Sequence, residues 1–155
     1  MLPITDSGLS LERFLPYRLS YSAALLSEAI GREYRDRFRL SIAEWRIVAH
    51  VAEHAGITQQ EIGRRTRMDK VTVSRAALAL CARSLISRQS NPSDRRSRLL
   101  VLTAAGRRLY RSIAPKALEL ERKVFRQCNE REIEVLRKVL ARIDAAAGTL
   151  LAAGE

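Results

Sequence analysis

Leu11, Phe14, Leu15, Leu19, Ala23, Leu26 and Ile30 recur at three- and four-residue spacing, the period of a helix with one apolar face. They predict one long amphipathic helix over about 10–37, carried through Pro16. Further along, Val73, Ala76, Ala77 and Leu80 fall at i, i+3, i+4 and i+7, an inward stripe on a helix over 70–85. Val124, Ile133, Leu136, Val139, Leu140, Ile143, Leu150 and Leu151 give the last two helices, 104–127 and 130–151, apolar faces that need covering. Pro115 should kink the first of these by deleting one backbone hydrogen bond.

Polar punctuation fixes where the helices begin. Ser41-Ile-Ala-Glu44, Thr58-Gln-Gln-Glu61 and Asn129-Glu-Arg-Glu132 each place a short acceptor three residues ahead of a glutamate that reaches back to the cap. They start helices at 42–54, 59–65 and 130–151. Asp69 and Thr103 are plainer caps for 70–85 and 104–127. The only convincing β signal lies between those two: Ile86–Ser90 and Ser97–Leu102 flank Asn91, Pro92, Ser93 and Asp94, residues that favour a turn. The reading is mostly α with a small β-hairpin, one domain over 1–155.

Composition narrows the class. With 155 residues, 46% hydrophobic and 29% charged, the chain is too apolar for disorder and too short for a large multidomain enzyme. Its +11 net charge favours a polyanionic partner. Ten basic and three acidic residues between 58 and 101 leave +7 of that charge in 44 residues. No apolar run is long enough to span a membrane, and the opening MLPITDSGLS lacks the basic and apolar regions of a signal peptide, so a cytoplasmic protein with no membrane partner is expected. Cys81 and Cys128 match no C-x-x-C pattern and read as reduced thiols.

The segment 58–85 reads as helix, turn, helix. On the second helix the side opposite the core stripe carries Val71 and Arg75, with Lys70, Thr72 and Ser74 at its flanks. A surface this short-chained can enter a major groove, where Arg75 would bond a guanine edge, Thr72 and Ser74 would reach phosphates or bases, and Val71 would touch a thymine methyl. The hairpin that follows has Arg95 and Arg96 at its tip and Arg98 beyond it. Such a tip can enter the adjoining minor groove, with Asp94 holding one guanidinium. His50-Val-Ala-Glu53-His54 matches the H-x-x-E-H pattern in which two histidines share a zinc ion. A third protein ligand for catalysis has no distinctive candidate, so neither an enzyme nor a resident metal or cofactor is expected.

The chain resembles the MarR family of bacterial transcriptional regulators. The residues that carry the resemblance are Leu40-Ser41 with Trp45-Arg46, Ile57-Thr-Gln-Gln-Glu61-Ile62, Asp69-Lys70-x-Thr72-Val73-Ser74-Arg75, and Asn91-Pro-x-Asp94-Arg95-Arg96 followed by Leu102-Thr103-x-x-Gly106. It covers 40–110 closely and the flanking helices in outline. The resemblance implies a homodimer with a winged helix-turn-helix lobe at 41–102, dimerisation helices at 10–37 and 104–151, and pseudo-palindromic double-stranded DNA as partner, usually under repression. Arg96 would be the wing's minor-groove arginine and Asp94 its orienting partner. Ser84 stands where the family usually has glycine, which implies a strained helix end. The family also implies release by a small ligand; Arg18, Tyr21, Trp45, Arg46 and His50 would receive an aromatic acid or its thioester. A non-specific architectural nucleic-acid binder, and a regulator answering to zinc through His50 and His54 or to oxidants through Cys81, remain the alternative readings.

Overall fold

The computed structural model describes residues 9–154; most of the N-terminal stretch considered for a signal peptide lies outside them. In chain order the elements are α1 (Leu15–Phe38), α2 (Ile42–Glu53), β1 (Ile57–Thr58), α3 (Gln59–Thr66), α4 (Lys70–Ala82), β2 (Ile86–Ser90), β3 (Arg98–Leu102), α5 (Ala104–Val124) and α6 (Glu130–Ala153). They fall into two compact units divided between Ile113 and Ala114. This is the expected winged helix, mostly helical with a small antiparallel sheet.

The caps explain most of the boundaries. Ser41 and Glu44 form the full reciprocal box, with the Ser41 N–H donating to Glu44 Oε2 at 2.6 Å and the Glu44 N–H to Ser41 Oγ at 3.2 Å. Asn129 and Glu132 do the same, at 2.8 and 3.0 Å. Thr58 caps α3 through the Glu61 N–H at 3.1 Å, but the return half of that box is missing because Arg64 and Arg65 hold the Glu61 carboxylate. The first helix starts at Leu15, five residues later than its apolar spacing predicts. Pro16 therefore sits in the first turn, where a missing N–H costs nothing.

In the first unit the core is built from α2, α3, α4 and β3. Ile47, Val48, Ile62, Val73, Ala77, Leu80 and Leu100 are fully or almost fully buried, each large aliphatic side chain contributing about 1.5–3 kcal/mol relative to exposure. The predicted α4 stripe of Val73, Ala76, Ala77 and Leu80 is the buried one. The sheet has order β1-β3-β2, with Ile86 opposite Leu102 and Ser90 opposite Arg98 in the hairpin. The third strand is a correction to the single-hairpin expectation. Ile57 and Thr58 pair with Leu100 and Leu99, and a two-residue strand with a partner so distant in sequence leaves no periodicity to read.

Helix α4 ends at Ala82, three residues earlier than predicted, because the chain turns left-handed at Ser84, where φ is 54°. The Leu85 N–H reaches the Leu80 carbonyl and the Ser84 N–H the Cys81 carbonyl, both at 2.9 Å, satisfying the helix's last acceptors in a Schellman turn. Serine carries a Cβ penalty there that glycine avoids. Ser84→Gly should stabilise the protein by about 0.5–1 kcal/mol and raise the thermal midpoint by roughly 1–4 °C in a calorimetric scan; an unchanged or lower midpoint would contradict the strained cap.

Thr103 ties this turn to the start of α5. Its hydroxyl lies 2.7 Å from the Ser84 carbonyl, its N–H donates to the Leu85 carbonyl at 3.1 Å, and its Oγ1 accepts the Gly106 N–H at 3.0 Å. A Cβ on Gly106 would lie 2.0 Å from the Leu85 oxygen, so this position admits only glycine in the present backbone. Helix α5 begins in the first unit, runs through Pro115 and ends at Val124, three residues short of the predicted end. No residue of α6 is buried.

Candidate nucleic-acid interface

Asp69 sets the start of α4. Its Oδ1 accepts the Thr72 N–H at 2.9 Å and its Oδ2 the Thr72 hydroxyl at 2.6 Å. These bonds, the Thr72 hydroxyl's above all, hold the Asp69 carboxyl below its usual range. They also correct one expectation. Thr72 already donates its hydroxyl proton to the cap, so it does not present a free donor to phosphates or bases. The remaining predicted residues of the helix fare differently. Lys70, Val71 and Arg75 are exposed, Ser74 is half-buried, and Arg75 makes no ion pair among the described residues.

A second correction concerns the hairpin tip. Asp94 accepts the backbone N–H of Arg96 at 2.9 Å and pairs with no guanidinium among the described residues. Asn91 likewise accepts the Ser93 N–H at 3.0 Å and donates to Ser97 Oγ at 2.7 Å. The acidic and amide side chains therefore shape the turn, and the guanidinium groups of Arg95 and Arg96 are left exposed. Arg98 reaches Ser90 across the hairpin at 3.3 Å.

Two concavities join helix and wing. One, of about 580 Å³, is lined by Gln59, Gln60, Gly63, Lys70, Val73 and Ser74. The other, of about 220 Å³, is lined by Thr58, Gln59, Gln60, Arg88, Ser97 and Arg98. They share Gln59 and Gln60 at the start of α3, so one concave surface runs from Lys70 and Ser74 of α4 to the hairpin strands. Gln59, Gln60 and Arg88 are its unanticipated members. In the sequence the two glutamines are only the interior of a capping motif, and nothing local to them shows that they lie between helix and wing. Leu78, 54% exposed one turn beyond Arg75, also lies outside the predicted set.

Not all of the basic charge in this stretch is free. Glu61 holds Arg64 at 2.7 and 2.9 Å and Arg65 at 2.6 Å. Arg83 is exposed but tied down, donating to the carbonyls of Arg39 at 2.7 Å and Phe38 at 3.3 Å, and so fastens the end of α4 to the end of α1. Arg67, Lys70, Arg75, Arg88, Arg95, Arg96 and Arg98 remain to face a polyanion.

The Glu61 cluster has a pH signature. Its hydrogen bond from Arg64, seconded by Arg65, lowers the Glu61 carboxyl to about 2 from 4.5. A depressed carboxylate stabilises the fold above its unfolded value and loses that contribution as pH falls, here between 4.5 and about 2. A carboxyl-carbon NMR titration should place the Glu61 midpoint near the lower value and move it upward in Arg64→Leu; a midpoint near 4.5 in the parent chain would dissolve the cluster.

The residues expected to receive a small ligand form separate groups. Arg18 and Tyr21 are exposed on α1, with the guanidinium carbon 5.4 Å from the Tyr21 ring centre. Trp45 instead lies between Tyr34 and Tyr110, at centroid distances of 5.3 and 5.9 Å. Arg46 is exposed and His50 half-buried on the same helix, α2. Burial raises the Tyr34 hydroxyl above its ordinary value, so it stays protonated as a donor.

Residues 40–97, the stretch that contains both the helix pair and the wing, match the MarR family. The match is confined to this lobe, which is what the chain shares with the MarR family. The uncharacterised HTH-type transcriptional regulator YxaD of Bacillus subtilis is 33% identical over 87 residues, 56% of this chain and 61% of its own length. Less than two thirds of that relative is thus spanned. Among MarR-like structures, a MarR/EmrR family regulator from Acinetobacter superposes with a TM-score of 0.84 at 23% identity, covering 91% of this chain and 99% of its own. Sco3205 of Streptomyces coelicolor, solved in complex with DNA, gives 0.80 at 20% identity, with 90% and 93% covered. CouR of Rhodococcus jostii, solved with p-coumaroyl-CoA, gives 0.77 at 21% identity, with 86% and 94% covered. These likenesses fix the MarR fold. Among the described residues, no helix is long and apolar enough to cross a membrane.

Proposed function

We propose that this chain is a MarR-family, sequence-specific, double-stranded-DNA-binding transcriptional regulator that works as a homodimer. The observation that carries the reading is the continuous surface from Lys70 and Ser74 through Gln59 and Gln60 to Arg88 and Arg98, with Arg75 exposed on the same helix. Its free cations would meet phosphates, while α4 would lie in a major groove and the Arg95–Arg96 tip in the neighbouring minor groove. That Sco3205, a protein of the same fold, was solved with DNA supports this use of the surface.

Dimerisation follows from what a single chain leaves uncovered. Leu15, Leu19 and Leu25 on α1 and Val135, Leu136, Val139, Leu140 and Ile143 on α6 are all exposed, more apolar helix face than a soluble monomer ordinarily displays. A second copy supplies the cover, and its two-fold axis would set half-sites about 34–36 Å apart. The regulator would act as a repressor released by a small effector. CouR's coumaroyl thioester supports an aromatic acid or its thioester as the chemical class, with Arg46 and the Trp45 rings offering charge and stacking. Because Arg18 and Tyr21 do not meet Trp45 within one chain, the dimer would have to complete such a site.

Selection of bound fragments from genomic DNA, followed by anisotropy titrations, tests the function. A pseudo-palindromic sequence should emerge and bind at least roughly 10³-fold more tightly than random duplex, with affinity falling linearly in log salt. Equal affinity for all sequences would transfer the surface to the architectural reading.

A further inference from the structure

We propose that His50, Glu53 and His54 form a binding site for one divalent transition-metal ion of the zinc class on α2. The chain has two histidines, and both lie in this five-residue span. Their donor atoms and a Glu53 carboxylate oxygen lie within 4.8 Å of one another. At i, i+3 and i+4 on the last turn of α2, with His54 as its C-cap, the three side chains already lie together, so closing on an ion needs side-chain rotation.

Each donor is in a state suited to a metal. His54 Nδ1 lies 2.7 Å from the His50 carbonyl. A carbonyl only accepts, so Nδ1 donates to it and Nε2 is the nitrogen left to ligate an ion. An imidazole oriented by such a backbone bond is the usual outer support of a metal-bound histidine. His50 Nδ1 is buried and has no hydrogen-bond partner, an arrangement that costs about 1–3 kcal/mol when nothing satisfies it. Glu53 Oε2 lies 3.8 Å away, too far for a hydrogen bond and close enough to converge on a shared ion.

The surroundings select the ion. His54 lines a concavity of about 350 Å³ together with Arg107, Tyr110 and Arg111. Two guanidinium groups there oppose a hard cation held mainly by charge, and Glu53 offsets only one of them. Imidazole-favouring ions such as Zn²⁺, Ni²⁺ and Co²⁺ gain enough from nitrogen ligation to bind, whereas Mg²⁺ and Ca²⁺ do not. Three protein ligands leave a coordination position for solvent or an anion, and an anion in that position would be complemented by Arg107 and Arg111.

The test uses the untagged 155-residue chain. Titration with Co²⁺ should give one equivalent per chain with the visible bands of a four- or five-coordinate ion, and Zn²⁺ should displace it. His50→Ala/His54→Ala should lose the equivalent, and Glu53→Gln should weaken it roughly 10- to 100-fold or more, with circular dichroism confirming that both variants are folded. In the parent chain, where no folding question arises, Zn²⁺ should shift the imidazole resonances of both histidines together. The proposal is overturned if the parent binds no equivalent, if its two imidazole signals stay in place, or if the folded double variant binds as the parent does.

Discussion

Gly106→Ala is expected to destabilise the protein by at least about 3 kcal/mol, lowering the thermal midpoint by roughly 6–12 °C for a chain of this size. The added methyl would stand 2.0 Å from the Leu85 oxygen and 3.0 Å from its carbonyl carbon. A flexible side chain could swing away from such a clash. This carbonyl cannot, because the Thr103 N–H holds it at 3.1 Å and the Ser84 turn fixes the peptide before it. The backbone joining α4, β3 and α5 must shift instead. Against a total stability of about 5–15 kcal/mol, that loss should also appear as a lower denaturant midpoint. A midpoint within the error of the parent would show that the junction is softer than these distances imply.

Arg75→Ala should cost about 1–3 kcal/mol per half-site on the selected operator, a loss of roughly 5- to 150-fold, and little on random duplex. The exposed guanidinium has no ion-pair partner among the described residues, so its removal leaves no buried charge behind and the loss reports a base interaction. Arg96→Ala should behave differently. A wing arginine acting on backbone and groove potential lowers affinity on both DNAs and reduces the salt slope by about 0.9 for each phosphate it no longer neutralises. Anisotropy across a salt series separates the two, and matching losses from both variants on both DNAs would remove α4 as the reader of sequence.

The elements that can be read from the chain are those whose cause is local. Ser41 with Glu44 and Asn129 with Glu132 announce helix starts because both halves of each box lie within four residues, and the α4 stripe follows from spacing alone. The failures share a different cause. Glu61 satisfies the capping pattern yet leaves its cap for Arg64 and Arg65, a competition among three side chains that spacing does not rank. Asp94, expected to hold a guanidinium, instead closes the turn through the Arg96 N–H, because a backbone donor two residues away costs less chain entropy to reach than a mobile side chain. Thr72, read as reaching phosphates or bases, donates its hydroxyl proton to Asp69 three residues back. Strand β1, and Gln59 and Gln60 as the bridge between helix and wing, depend on where β3 arrives some forty residues later. The helix, the wing and the exposed arginines are thus readable in the sequence, and the polar shaping around them is not.

Arg39, Arg67 and Ser84 are the three non-glycine residues with positive φ among those described, at 54°, 57° and 54°. Two of these left-handed joints, closing α1 and α3, are occupied by exposed arginines. Glycine at both would relax the backbone by something on the order of 1 kcal/mol apiece, and would lower the +11 net charge by two. Heat tolerance and attraction for polyanions therefore pull in opposite directions at the same two residues, and a sturdier version of this protein would hold its partner less firmly in salt.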